Sequence, residues 1–282
     1  MEYRSLESIT RPQLLDAWNG GFADYAVPMT MTEESLTRLL TARGYQPHVS
    51  AGAFDEGRLV GFVLNGLRLW RGAMTGYDTG TALLPDYRGK GIAKAAMALA
   101  LDLLRAAGAT QYLLEVIQTN TPAVELYTKQ GFGITREFPC LRRRHPEGET
   151  AAWDARWVEP FSPAQWREAE ALWEVYPSWQ NSPDTLLVTP EPLEYAVVHE
   201  GDALVGYGIF STRSGTIAQM AVHPDFRRQG IGRSLLVAMA AKTEAPGLGF
   251  VNVDSGGQET MAALKALGFE AYIAQFEMVL PL

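Results

Sequence analysis

Residues 85–95 read PDYRGKGIAKA, and residues 224–234 read PDFRRQGIGRS. Each follows an apolar run and precedes a long helix-like run, so each is expected to turn a strand into a helix through a glycine-bearing loop. Such a junction offers free backbone N–H groups at the positive end of a helix dipole, a place suited to a pyrophosphate. In the first copy Gly89, Gly91 and Ala93 keep bulk away where backbone must meet phosphate. Lys90 and Lys94 add positive charge nearby, or are solvated lysines of the helix surface. The pattern is neither GxxxxGK(S/T) nor a complete GxGxxG, so the loop is not one of those nucleotide cradles.

The spacing R-x-x-G-x-(G/A), met by Arg88 to Ala93 and again by Arg227 to Gly232, resembles the acetyl-CoA signature of the GCN5-related N-acetyltransferases (GNAT). The segment LLEVIQTNTPAVELYTKQGF, residues 113–132, is similar to that family's L-E-V, N, A, L-Y and G-F positions. The resemblance covers nearly the whole chain and implies an α+β fold in each half: a mixed, mostly antiparallel sheet flanked by helices, with its fourth and fifth strands splayed around a cofactor cleft. It implies cofactor contacts along the strand end Thr81, Ala82 and Leu83, on Arg88, Gly89, Lys90, Gly91, Ile92, Ala93 and Lys94, and on Asn120. The first half is most similar to ribosomal-protein N-terminal acetyltransferases, which implies Glu115 as base and Tyr127 as acid.

The implied reaction is acetyl transfer from acetyl-CoA to a primary amine, a small molecule or a peptide N-terminus. A protonated amine cannot attack a thioester until a carboxylate or a water chain has taken its proton. A strand N–H near Leu83 would stabilise the oxyanion, and a tyrosine hydroxyl would protonate the leaving thiolate. Asp78, on the preceding strand, is the next candidate for the base. A catalytically silent acyl-CoA sensor or scaffold is the alternative reading.

The second copy keeps the loop and loses the chemistry. Aligning Gly268-Phe269 with Gly131-Phe132 sets Leu264 opposite Tyr127, Gly257 opposite Asn120 and Asn252 opposite Glu115. Val222, Arg228, Gln229, Gly230, Ile231, Gly232 and Arg233 remain as a possible second cofactor site without turnover.

The elements that must position these groups recur in the same order. Helices near Leu14–Phe22 and Glu33–Ala42 precede a hairpin, Val49–Phe54 and Leu59–Leu69, around DEGR. The second half has a helix near Ala164–Val175 and a hairpin, Tyr195–His199 and Leu204–Phe210, around EGDA. LVGFVLNGLR at 59–68 echoes LVGYGIFSTR at 204–213. The long helices after the loops are expected to stop at Gly108 and at Pro246-Gly247. The expected domains are 1–145 and 156–282, joined by a linker at 146–155 where Pro, Gly and charge break the apolar periodicity. Trp173 and Trp179 are expected to pack between the domains, or Trp179, Gln180 and Asn181 to face substrate. Acceptor specificity is assigned to the segments around Asp24–Met31 and Leu69–Tyr77.

Composition narrows the class. A net charge of −8 argues against general nucleic-acid binding, which needs a basic surface. The excess lies in the second half, where 8 Lys+Arg face 18 Asp+Glu. No run approaches the ~20 apolar residues of a membrane span, and MEYRSLESIT lacks the pattern of a secretory signal. The single cysteine, Cys140, reads as a buried thiol and fits a reducing cytoplasm. The four histidines, His48, His145, His199 and His223, have no metal-ligand spacing, so no metal is expected.

Overall fold

The computed structural model describes residues 1–24, 29–145 and 148–282. Residues 25–28, within the first segment assigned to acceptor specificity, and 146–147, at the start of the expected linker, lie outside the described residues. The chain divides into two compact units. One comprises Met1–Val116, Asn120–Thr135 and Glu277–Leu282; the other comprises Ile117–Thr119 and Arg136–Phe276. The units and the sequence repeats therefore differ at their ends, because each repeat's last strand is shared out between the units.

In chain order, the first repeat forms β1 (Glu2–Ser5), α1 (Arg11–Gly21), α2 (Glu33–Ala42), β2 (Ala51–Asp55), β3 (Arg58–Trp70), β4 (Ala73–Leu83), α3 (Ile92–Ala106), β5 (Gln111–Ile117), α4 (Thr121–Lys129) and β6 (Gly133–Arg144). The second forms β7 (Arg156–Val158), α5 (Pro163–Glu170), α6 (Pro183–Val188), β8 (Leu193–Glu200), β9 (Ala203–Ser211), β10 (Thr216–Val222), α7 (Ile231–Lys242), β11 (Gly247–Phe250), α8 (Gln258–Ala266) and β12 (Glu270–Pro281).

Local chemistry explains the helix starts. Thr10 and Thr32 each accept from the N–H three residues on, while Gln13 and Ser35 reach back to the cap N–H. Trp18 of α1 lies stacked on Phe62 of β3, with centroids 5.9 Å apart, and its indole N–H donates to Met29 O at 2.8 Å. That pair, with Leu14, Leu36 and Leu40, holds α1 and α2 on one face of the first sheet. Ile92 of α3 packs with Ala53, Val60 and Leu84 in a separate apolar cluster.

The first unit's strands run β1-β2-β3-β4-β5, antiparallel except for β4 and β5. That one parallel pair needs the α3 crossover. Its register is short: Thr75↔Gln111, Gly76↔Tyr112 and Tyr77↔Leu113. Beyond these pairs β4 continues to Leu83 and β5 to Ile117, so the two strands part. The second unit runs β6-β11-β10-β9-β8-β7, and its parallel pair is shorter still, Thr216↔Gly249 and Ile217↔Phe250. The mixed sheet with a splayed fourth and fifth strand, expected from the resemblance, is thus present in both halves.

Two expected helices end early. α5 stops at Glu170 rather than Val175, where the tightened turns Leu172 N–H to Ala169 O and Trp173 N–H to Glu170 O take over. This lets Leu172 bury and places the Trp173 indole N–H on the Tyr207 hydroxyl. Trp173 thereby joins a core cluster within the second unit, built on Phe161, Trp166, Tyr195 and Tyr207. α7 stops at Lys242. Among the described residues no helix is long and apolar enough to cross a membrane.

One backbone detail separates the two loops. Arg228 adopts φ 64° where the first copy has Gly89 at φ 73°. A residue with a Cβ in that left-handed region costs on the order of 1 kcal/mol. Arg228→Gly is expected to raise the stability of the second unit by about 0.5–1 kcal/mol, less the entropy that glycine adds to the unfolded chain. Urea midpoints of the two proteins check this, and a lowered midpoint would mean that the arginine side chain outweighs its own strain.

Candidate functional site

The first loop is built outward from the end of β4. Leu84 N–H donates to Val60 O at 2.9 Å, which turns that group towards β3. By strand alternation Leu83, and likewise Thr81, present their N–H and C=O to the other edge, where β5 has departed. There Leu83 O accepts from Arg88 Nε at 3.2 Å. Pro85–Tyr87 then form one 3-10 turn, and the chain passes through Gly89 at φ 73° and Gly91 at φ 78° before α3 begins at Ile92. Gly91 occupies the N-cap position with no side-chain cap, and α3 has no acidic residue in its first turn.

This geometry fits a pyrophosphate. Both glycines are exposed, and a Cβ added at either would meet nothing within 4 Å. The first N–H groups of α3 have no intrahelical acceptors. Lys90 Nζ donates to Asp86 O at 2.8 Å, holding its charge against the loop. Arg88, one of the expected cofactor contacts, is held from the far side of the loop. Its guanidinium donates to both Asp24 oxygens, at 2.6 and 2.9 Å, and to Gly21 O at 2.9 Å. Hydrogen bonding to Arg88 holds the Asp24 carboxyl below the usual carboxylate range. Arg88 therefore ties the loop to the end of α1.

Where β4 and β5 part, polar groups collect. Asp78 is the first β4 residue past the paired stretch, and it is buried. Its Oδ2 accepts from the Thr81 hydroxyl at 2.8 Å and faces the Tyr127 hydroxyl at 3.5 Å. Burial pushes the Asp78 carboxyl up to about 6, against the opposing pull of Thr81, the Gly80 N–H, Arg43 and Tyr127. Glu115 lies on β5 beyond the pairing and accepts from the Tyr77 hydroxyl at 3.0 Å. Tyr127 reaches the same region from α4, edge-on to Phe132 at 5.5 Å. Asn120 is the N-cap residue of α4, yet its side chain does not cap that helix. Tyr112 donates to Asn65 Oδ1 at 2.6 Å, and burial first, then the Asp78 charge, pushes its hydroxyl well up.

The structure thus sets Glu115 beside Tyr77 and Tyr127 beside Asp78 where β4 and β5 part, with Thr81, Ala82 and Leu83 along the β4 edge. Asp78 is the group whose environment sequence reasoning did not reveal. An Asp between Tyr77 and Thr79 carries no local sign of burial.

The second loop repeats the backbone. Pro224–Phe226 form the 3-10 turn, Arg227 Nε donates to Val222 O at 3.2 Å, and Gly230 is the N-cap residue at φ 92°. Its cleft is a cavity of about 920 Å³ reached by Val222, Arg228, Gly230, Ile231, Gly232 and Arg233, with Gln219 and Tyr207 deeper in. Leu264 is buried in the apolar core, and Gly257 is the N-cap residue of α8. Asn252 Oδ1 accepts from Gln275 at 2.8 Å. None of the three can act as acid or base.

Comparison with known proteins agrees with this architecture. The model of the acetyltransferase (GNAT) family matches residues 10–132, and an acetyltransferase (GNAT) domain model matches residues 191–271. A streptothricin acetyltransferase of Streptomyces lavendulae is 38% identical over 86 residues, which are 30% of this chain and 43% of the relative. An N-alpha-acetyltransferase 30 of Schizosaccharomyces pombe is 33% identical over 87 residues, 30% of this chain and 58% of the relative. The chain thus spans about half the length of the curated relatives it matches. Among solved structures, a tandem GNAT protein from the clavulanic acid biosynthesis pathway aligns with a TM-score of 0.73 at 18% identity, covering 99% of this chain and 98% of that one. A GCN5-related N-acetyltransferase from Sphaerobacter thermophilus aligns with a TM-score of 0.71 at 13% identity, covering 99% and 95%. At these identities the likeness establishes the fold, and the family models carry the assignment: the chain belongs to the GNAT family of acetyltransferases, with two of its domains in tandem.

Proposed function

We propose that the first unit transfers an acetyl group from acetyl-CoA to a primary amine, and that the second unit does not turn over substrate. The observation that carries this reading is the open Gly89–Lys94 cradle in the same unit as Glu115, Asn120 and Tyr127. Acetyl-CoA supplies an acyl group on a thioester whose sulfur leaves as thiolate. The N–H groups from Gly89 to Lys94 hold its pyrophosphate, and the β4 edge at Thr81, Ala82 and Leu83 offers main-chain partners to the pantetheine arm. The Leu83 N–H, on the edge that β5 has left, stabilises the oxyanion.

Glu115 takes the amine's proton, oriented by the Tyr77 hydroxyl. Tyr127 gives a proton to the leaving thiolate, and Asn120 holds the cofactor beside it. The acceptor is a small-molecule amine or a peptide N-terminus, the two kinds named by the streptothricin and N-alpha relatives. The repeats 1–145 and 156–282 are read as the functional halves, and the single buried Cys140 suits work in a reducing cytoplasm.

Release of free thiol from acetyl-CoA with a panel of amines tests the activity. Tyr127→Phe is expected to leave CoA affinity intact and lower turnover by roughly 10²-fold, the scale of one general acid. Gly91→Asp, which puts a carboxylate into the phosphate cradle, is expected to abolish both. Tight CoA binding without thiol release for any amine would favour the silent sensor instead.

A separate prediction concerns Asp78. Its folded pKa, about 6, stands above the ordinary 3.8, so folding favours the protonated form. The stability this brings is fully present below pH 3.8 and is lost as pH rises through 6. A shift of this size corresponds to about 2–3 kcal/mol. Asp78→Asn is therefore expected to gain about that much on the parent protein between pH 4 and pH 7. Urea midpoints at the two pH values measure it, and a gap independent of pH would place the ionised carboxylate in a better-solvated setting.

A further inference from the structure

The two loops share a backbone but not their surroundings. At the first, Gly91 is exposed and faces open space; at the second, Gly230 is half-buried, and a Cβ there would stand 3.3 Å from Ala152 Cβ. The residues above it belong to the same unit and come from the segment expected to be a plain linker. The N–H groups of Ala152 and Trp153 both donate to the Ser234 hydroxyl, at 3.0 and 3.1 Å. The Trp153 indole N–H donates to Gln229 O at 2.9 Å. Ser234 is buried in the first turn of α7 and stands where the first copy has Ala95, which offers no such anchor.

Charge follows the same arrangement. Glu149 pairs with Arg143 at 3.0 Å and lies 3.9 Å from Arg233, the residue at the position of Lys94 in the first loop. Across the cleft, the Glu174 carboxylate accepts from the Glu259 and Thr260 N–H groups, at 3.0 and 2.8 Å, and so fills the N-terminus of α8. Arg227 is ion-paired with Glu259. Donors that in an open cleft would wait for an anion are here engaged by carboxylates of the chain itself.

We propose that residues 148–155 are a built-in occupant of the second phosphate loop, seated by Trp153 on Gln229 and by Ser234 on the strap, so that the chain takes up one CoA, at the first loop only. The strap runs beside the loop, where a Cβ on Gly230 would stand 3.3 Å from Ala152 Cβ, and Glu149 puts a negative charge 3.9 Å from Arg233. The proposal rests on the reading of Gly89–Lys94 as the CoA loop. It makes the phosphate end of the second loop the covered part, above a cleft that stays open, in a domain that also has no acid and no base at the positions of Tyr127 and Glu115.

Calorimetric titration of the whole chain with CoA tests it. One CoA per chain is expected, and none after Gly91→Asp. Trp153→Ala combined with Ser234→Ala releases the strap and is expected to raise the stoichiometry to two, with thermal unfolding confirming that the variant is folded. Amide hydrogen exchange provides a second reading on the unaltered protein. The Ala152 and Trp153 N–H groups are expected to exchange slowly and to be unaffected by CoA, and to exchange roughly tenfold faster in Trp153→Ala alone, the scale of about one hydrogen bond. Two CoA bound by the parent protein, exchange at Ala152 and Trp153 accelerated by CoA, or a folded double variant that still binds one would each overturn the strap. No CoA bound by the parent protein would instead remove the reading of the first loop.

Discussion

Past Tyr77 and Leu113 the two parallel strands separate, and among the described residues their facing edges no longer pair with each other. A sheet interior does not tolerate unpaired N–H and C=O groups unless something else satisfies them. Everything distinctive in each unit answers this demand. Arg88 takes the Leu83 carbonyl in the first unit and Arg227 takes the Val222 carbonyl in the second, by the same 3.2 Å contact. What remains along the β4 edge is a strip of main-chain polarity leading from the α3 N-terminus down to Asp78.

The separation also explains why titratable groups sit where they do. Asp78 stands just beyond the paired stretch, within reach of α4 but screened from water by the surrounding core. Burial there favours its neutral form, with Thr81, Arg43 and Tyr127 pulling only part of the way back. Glu115, on the opposite arm and half-buried, keeps a hydroxyl partner in Tyr77. Two carboxylates therefore flank the strand separation in unlike environments, Asp78 buried and pushed up to about 6, Glu115 half-buried beside the Tyr77 hydroxyl.

The second unit meets the same backbone demand by other means. Its loop keeps the positive φ of Gly230 and imposes the same conformation on Arg228 although an arginine fits it poorly. Arg233 lies near the Glu149 carboxylate, Glu174 accepts from the first N–H groups of α8, and the Ala152 and Trp153 N–H groups donate to Ser234 beside the loop. A duplicated fold thus retains the strand separation in both units, while the side chains around it differ between them.

The duplication, the two strand-loop-helix junctions, the family and the mixed-sheet fold were all legible in the residues, because each is written in local terms. Positive-φ glycines, capping threonines and the alternation of apolar runs constrain only their neighbours, and α2 runs over the residues its pattern indicates, Glu33–Ala42. Glu115, Asn120 and Tyr127 could be singled out for the same reason, since their spacing lies within one strand-turn-helix stretch. Burial of Asp78 could not, because it depends on β4 and α4 bringing Thr81 and Tyr127 to one side chain. The early end of α5 was hidden too, since Trp173 turns aside to meet Tyr207, a residue far along the chain. Residues 146–155 read as a linker because Pro, Gly and charge break periodicity there, and that local pattern carries no sign of the contacts that Ala152 and Trp153 make. Whether such a stretch hangs free or seats on a loop is decided by Ser234 and Gln229, some eighty residues away, and contacts at that range exist only once the chain has folded.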